Sequence, residues 1–301
     1  AEKAYYALTY YLAQNKSGLD VANDSLIRVA YNYYAKFPKD SLYARCMYYM
    51  GFYYSLNDSL ERANYCLKEA QRTAKVQKDT ATLCLAMTRY SWVVRKTHPE
   101  AGLEYAKRVL GLYEKYSKRN VFNIVYNTLM VCECENFCGN PRRAFSLAQQ
   151  AEKNALALGD STVISDVYQD MAYFAVSLGD KRSTHFALLS CRYSDTRFVS
   201  KRLMLAKAYE KTGNCHECIN LLDTLRLENN GQRYEAFAMR HRAAVKLNDP
   251  AALSYADSAY HYIEAMFDDE LCDKTIYFEN LMQEKTERLQ AEAWTVLYLS
   301  L

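Results

Sequence analysis

The stretch MYYMGFYYSLNDSLERANYCLKEA, from Met47 to Ala70, decides the fold. Its apolar residues recur every three or four positions on both sides of the polar break Asn57-Asp58-Ser59. That is the spacing of two amphipathic helices joined by a short turn. Two small residues, Gly51 and Ala63, stand twelve positions apart, one on each helix. Met47, Met50, Tyr54 and Leu67 supply bulk around them, and Ala70 lies one turn beyond.

The same frame returns along the chain. Thr128, Val131-Cys132 and Glu135 precede Ala144, Ala148 and Ala151. Tyr168, Met171-Ala172 and Ala175 precede Thr184, Leu188 and Cys191, and Arg202, Leu205-Ala206 and Tyr209 precede Cys218, Leu222 and Leu225. With Gly51 numbered 8, these residues fall at frame positions 4, 7, 8, 11, 20, 24 and 27. The pattern resembles the tetratricopeptide repeat, a helix pair of about 34 residues. Positions 8 and 20 are where the two helices cross, and only a small residue allows the close approach. Weaker copies run from Met87, Tyr90-Ser91 and Val94 to Gly102, Ala106 and Val109, and end in Ala252, Ala256 and Ala259. The family's Trp at position 4 and its Pro after the second helix are missing here.

The resemblance implies an all-α fold, an α-α superhelix of the right-handed solenoid type. Residues 1–267 are read as the repeat domain, with a capping helix pair at 1–40 and about six repeats over 41–267. Gly139, Gly159, Gly179 and Gly213, each followed by Asn or Asp, fall where helices should end. Pro99, Pro141 and Pro250 fall at or near helix starts. Over 268–301 the apolar residues Leu271, Phe278, Met282 and Leu289 follow a seam of about 3.5 residues. This predicts one long C-terminal helix, either a solvation helix packed on the last hairpin or a stalk that pairs with a second copy as a coiled coil.

Composition agrees and excludes. Nine Gly and four Pro are too few for a loop-rich or all-β chain. A net charge of +3 with both signs interspersed gives no footprint for nucleic acid. No two glycines are close enough for a phosphate-binding loop or a dinucleotide fingerprint. The ten cysteines are scattered through helical patterns as small core residues. Cys215-His216-Glu217-Cys218 offers two thiolates, but a structural zinc site needs four ligands and no second pair follows. No cofactor, metal or catalytic constellation is expected, so the chain is read as a non-enzymatic scaffold for protein or peptide partners.

The resemblance places the binding groove on the first helix of each pair, at positions 2, 5, 9, 12 and 13. Carried over, the groove presents Tyr48, Phe52, Leu56, Trp92, Arg95, Tyr126, Leu129, Glu133, Asn136, Tyr173, Val176, Lys207 and Lys211. Tyr48 and Phe52 stand where a carboxylate-clamp co-chaperone would need Lys and Asn, which sets that subtype aside. The chain opens at Ala1 without Met. It closes on the apolar run Ala293 to Leu301, with Trp294 and Tyr298 at the polarity switch. In layout it is similar to tetratricopeptide sensor regions of Gram-negative envelope proteins. That resemblance implies a periplasmic, signal-transducing domain with a membrane segment continuing past Leu301. The competing expectation is a cytoplasmic adaptor.

Overall fold

The computed structural model describes residues 1–16, 25–57, 59–195 and 198–267, which hold helices and turns and no strand. The helices are α1 (Glu2–Lys16), α2 (Ser25–Tyr34), α3 (Tyr43–Leu56), α4 (Leu60–Gln77), α5 (Thr80–Val94), α6 (Pro99–Tyr116) and α7 (Val121–Phe137). They continue with α8 (Pro141–Leu158), α9 (Ser161–Ser177), α10 (Ser183–Tyr193), α11 (Val199–Thr212), α12 (Cys215–Asp223) and α13 (Asn230–Leu247). A further helix, α14, covers 252–267. The segment 268–301, read from sequence as a long helix, lies outside the described residues.

Helix ends have local causes. The side chains of Asp79, Asn120, Asp160 and Asn229 accept hydrogen bonds from backbone N–H groups in the first turns of α5, α7, α9 and α13. Pro99 and Pro141 occupy the first positions of α6 and α8, where a missing N–H costs nothing. Gly139, after α7, and Gly213, after α11, take φ of 83° and 87°, a left-handed turn that a Cβ would strain.

Consecutive helices pack as hairpins. The odd-numbered helices also touch one another in series from α3 to α13, whereas the even-numbered helices α2 to α12 contact chiefly their neighbours in sequence. A stack with one layer in contact and the other spread apart is curved, with the odd helices on its concave side. The molecule is an all-helical superhelical solenoid.

The hairpins close on small residues. At the α3–α4 crossing, a Cβ added to Gly51 would come 2.7 Å from Leu67 Cγ and 3.3 Å from the Ala63 carbonyl oxygen. At α5–α6, the buried Ser91 hydroxyl donates to the Gly102 carbonyl oxygen at 2.7 Å. Cys132 with Ala144, and Ala206 with Cys218, are completely buried. The α9–α10 hairpin departs from the expected frame. Its buried row is Ser183, Ala187 and Ser190, one residue ahead of Thr184, Leu188 and Cys191, and Leu188 is 46% exposed. The reason lies in the turn. The Ser183 N–H bonds the Asp180 carbonyl oxygen three residues back at 3.0 Å. Such a turn uses three residues instead of 3.6, so the inner face arrives about one residue early.

Cys215 and Cys218 are buried in the core that α11, α12 and α13 share. Burial pushes the Cys218 thiol up to about 12, the opposite of what a metal ligand needs. No three His, Cys, Asp or Glu side chains converge among the described residues as a metal site requires. No helix among them is long and apolar enough to cross a membrane.

Candidate functional site: the concave groove

A cavity of about 760 Å³ opens on the concave side, with walls from α3, α5, α7 and α9 and with Asn15 and Tyr113 reaching in from α1 and α6. Its volume is that of a site for a small molecule or a short stretch of chain.

The aromatic end lies on α3 and α5. Tyr48 packs edge-on against Tyr49 at 4.8 Å and lies 6.3 Å from Phe52, so it is wall and core at once. The Arg89 guanidinium sits 4.1 Å from the centroid of Phe52 and 5.3 Å from that of Trp92. The same indole carries Arg95 at 4.1 Å. Cations over aromatic faces are attracted by the ring quadrupole. Arg95 has a counter-charge as well, with Nε 2.6 Å from Glu133 Oε2. Arg89 has none. Among the described residues no carboxylate or carbonyl oxygen pairs with its guanidinium, and burial shifts its pKa downward.

The acidic end lies on α7 and α9. The Tyr126 hydroxyl donates to Asp166 Oδ2 at 2.6 Å, and the other Asp166 oxygen takes the buried Lys201 ammonium from α11. Burial pushes the Glu133 carboxyl up, and Arg95 pulls it back. Asp170 is different. It has no hydrogen-bond or ion-pair partner among the described residues. Burial, and then the nearby charges of Glu133 and Asp166, hold its carboxyl well above the usual carboxylate range; Lys201 and Arg95 offset only part of this. Between the two ends runs a polar floor. The Thr88 hydroxyl donates to Asn127 Oδ1 at 2.8 Å, and the Asn127 amide donates to the Asn123 carbonyl oxygen at 2.8 Å.

Of the residues singled out from sequence, Tyr48, Phe52, Trp92, Arg95, Tyr126, Leu129 and Glu133 line this cavity together. Leu56, Asn136, Tyr173, Val176, Lys207 and Lys211 do not. Lys207 lies over the Tyr173 ring at 5.3 Å and 3.8 Å from Glu235. Lys211 lies 3.7 Å from Glu210, and the Asn136 carbonyl oxygen caps the end of α7 by accepting from Gly139 N–H. The lysine end of the expected groove lies outside this cavity, with each lysine loosely beside a carboxylate. Four lining residues were missed although their frame positions were in use: Leu85 and Asp166 at position 2, Thr88 and Gln169 at position 5. Arg89, Met130 and Asp170 share position 6, a row outside the carried-over set. The signal that could have found them is a charge in a row that otherwise faces inward.

This architecture defines a class, the tetratricopeptide-like helical solenoids. No protein family matches the chain at the level of sequence, and no curated protein matches it either. Among solved structures it is similar to a Rap protein complexed with Competence and Sporulation Factor, with a TM-score of 0.66 at 15% identity, over 92% of this chain and 87% of that one. It is also similar to a signal transduction ATPase with numerous domains from Pyrococcus horikoshii that carries a tetratricopeptide repeat sensor. There the TM-score is 0.58 at 14% identity over 88% of this chain, which spans 43% of that protein's length.

Proposed function

We propose that this chain is a non-enzymatic sensor domain whose concave groove binds a peptide, either free or as an extended segment of a partner protein. The observation that carries this is the convergence of Phe52, Trp92, Arg89 and Tyr126 with the polar floor of Thr88 and Asn127 in one groove spanning four helices. Aromatic and Arg side chains in a concave, partly desolvated setting are the usual anchors of binding energy. The Rap structure supports the reading, because that protein of similar fold was solved in complex with Competence and Sporulation Factor. Peptides selected from a displayed random library and measured by calorimetry test it. Phe52→Ala and Trp92→Ala should each weaken such peptides by about 2 kcal/mol, or roughly thirtyfold, with the fold intact. Selected peptides that ignore both changes would place the binding surface elsewhere.

The sensor reading includes a membrane-anchored, periplasmic setting, motivated by the likeness in layout to envelope sensor regions. Fractionation of the full-length gene product tests this part separately. Recovery in the membrane pellet supports it; recovery in the cytosol favours an adaptor with the same groove.

A further inference from the structure

The groove contains two ionisable groups of opposite type, one basic and one acidic, that the fold leaves without a counter-charge. Arg89 on α5 is surrounded by the rings of Phe52 and Trp92, which attract a cation but carry no net charge. Asp170 on α9 faces two further carboxylates and has no donor of its own among the described residues. The other ionised groups close by are matched within the protein: Arg95 with Glu133, and Asp166 with Lys201 and Tyr126. Arg89 and Asp170 are each half-buried in the cavity wall, open to the cavity and without a counter-charge among the described residues, so each is free to take one from an occupant. Both side chains stand at frame position 6 of their helices, with Met130 of α7 at the same position between them, so they face the same cavity from its two ends.

We propose that the groove is bipolar and selects an extended peptide segment bearing a carboxylate, received by Arg89, and a basic side chain, received by Asp170. This deepens the peptide-binding reading and rests on it. Spacing sets the length. The helices α5, α7 and α9 touch in sequence, and packed helix axes lie about 8–10 Å apart. Two such steps are roughly 16–20 Å, or about five or six residues of extended chain at 3.3 Å each. The segment lies across the odd helices. Its apolar side chains meet Phe52 and Trp92 near the acid, and its backbone meets the Thr88 and Asn127 floor midway. The carboxylate comes from a chain terminus or from an Asp or Glu side chain; the chemistry at Arg89 is the same.

The test uses the full chain and N-terminally fluorescein-labelled heptapeptide libraries read by anisotropy. One library has free C-terminal acids and one has amides. In each, Lys or its neutral isostere norleucine is fixed at each position in turn, and a third, amidated library fixes Glu near the C-terminus. The expected result is a preference of roughly ten- to a hundredfold for an acid. A matching preference for Lys is expected four to six residues before it. Arg89→Gln should erase the acid preference and leave the Lys preference, and Asp170→Asn should do the reverse. A terminal source favours the free acids alone, and a side-chain source favours the Glu library. A second readout needs no ligand. Asp170→Asn relieves three crowded carboxylates and should raise the melting midpoint; a lower midpoint would show that Asp170 serves the fold, and would overturn the proposal. Peptides that bind without either charge preference, or whose preferences survive both substitutions, also overturn it while leaving the peptide reading intact. Binding by no member of any library counts against the peptide reading itself.

Discussion

At the scale of single residues, the packing makes sharp demands at a few positions. Gly51 admits no side chain without moving Leu67, whose Cγ would be 2.7 Å from the new Cβ. Gly51→Leu should cost about 1–3 kcal/mol as overpacking, read as a lower urea midpoint with an unchanged slope. The α10 frame gives a paired expectation. Leu188→Ala, at an exposed site, should shift stability by no more than about 0.5 kcal/mol, whereas Ala187→Leu, at a completely buried one, should cost about 1–3 kcal/mol. Denaturation of the two variants decides between the frames. If Leu188→Ala were the damaging change, the buried row would be the one first read from the sequence. That reading failed at this helix because it carried a constant twelve-residue step past Gly179-Asp180, and a three-residue turn leaves no mark in apolar spacing.

At the scale of elements, two buried carboxylates act as staples. Glu135 at the end of α7 has Lys107 of α6 at 2.8 Å and Arg143 of α8 at 3.3 Å, and Asn140 donates to its second oxygen. Glu210 of α11 has Lys246 at 2.9 Å and Arg242 at 3.4 Å, both from α13. Burial pushes both carboxyls up, but the bonds and charges from these cations outweigh it, so both sit below the usual range. A carboxyl lowered on folding contributes stability that is complete above its unfolded pKa, about 4.3. That contribution is lost as pH falls through the folded value. The melting midpoint should therefore fall on acidification from about pH 5 downward. Glu210→Gln should be less stable at pH 7 by about 1–3 kcal/mol and show a shallower acid slope; an unchanged slope would remove Glu210 from this role. Glu135 was visible in the sequence only as a repeat residue at position 11. Its partners come from α6, from α8 and from the turn before α8, and no spacing along the chain announces them.

At the scale of the whole molecule, the helix pairs and their inward small residues were legible from Met47 to Ala70 onward, because hairpin packing is local and repeats. The groove was legible by halves. Phe52, Trp92 and Glu133 follow from frame positions, but whether a charge there is matched depends on another helix, as for Asp166, whose Lys201 lies 35 residues away. That is why Arg89 and Asp170, whose lack of a counter-charge depends on the packed helices around them, were missed. In a stacked array each pair is held chiefly by its neighbours, so a ligand lying across α5, α7 and α9 ties three pairs together. Hydrogen exchange with a selected peptide should slow more in α5 to α9 than in α13, and uniform slowing would point to binding at another surface.

The contrast between the touching odd helices and the separated even ones gives the array a direction of compliance. Further coiling compresses helices already in contact, while straightening pulls them apart and meets only nearest-pair resistance. Such a body behaves as a spring preloaded on one side. An occupant anchored by Arg89 at one end and Asp170 at the other is then a strut of fixed length across the spring. A segment one residue shorter or longer sets a different curvature, and with it the distance between the first and last helices. Peptide length is thereby converted into the shape of the whole molecule.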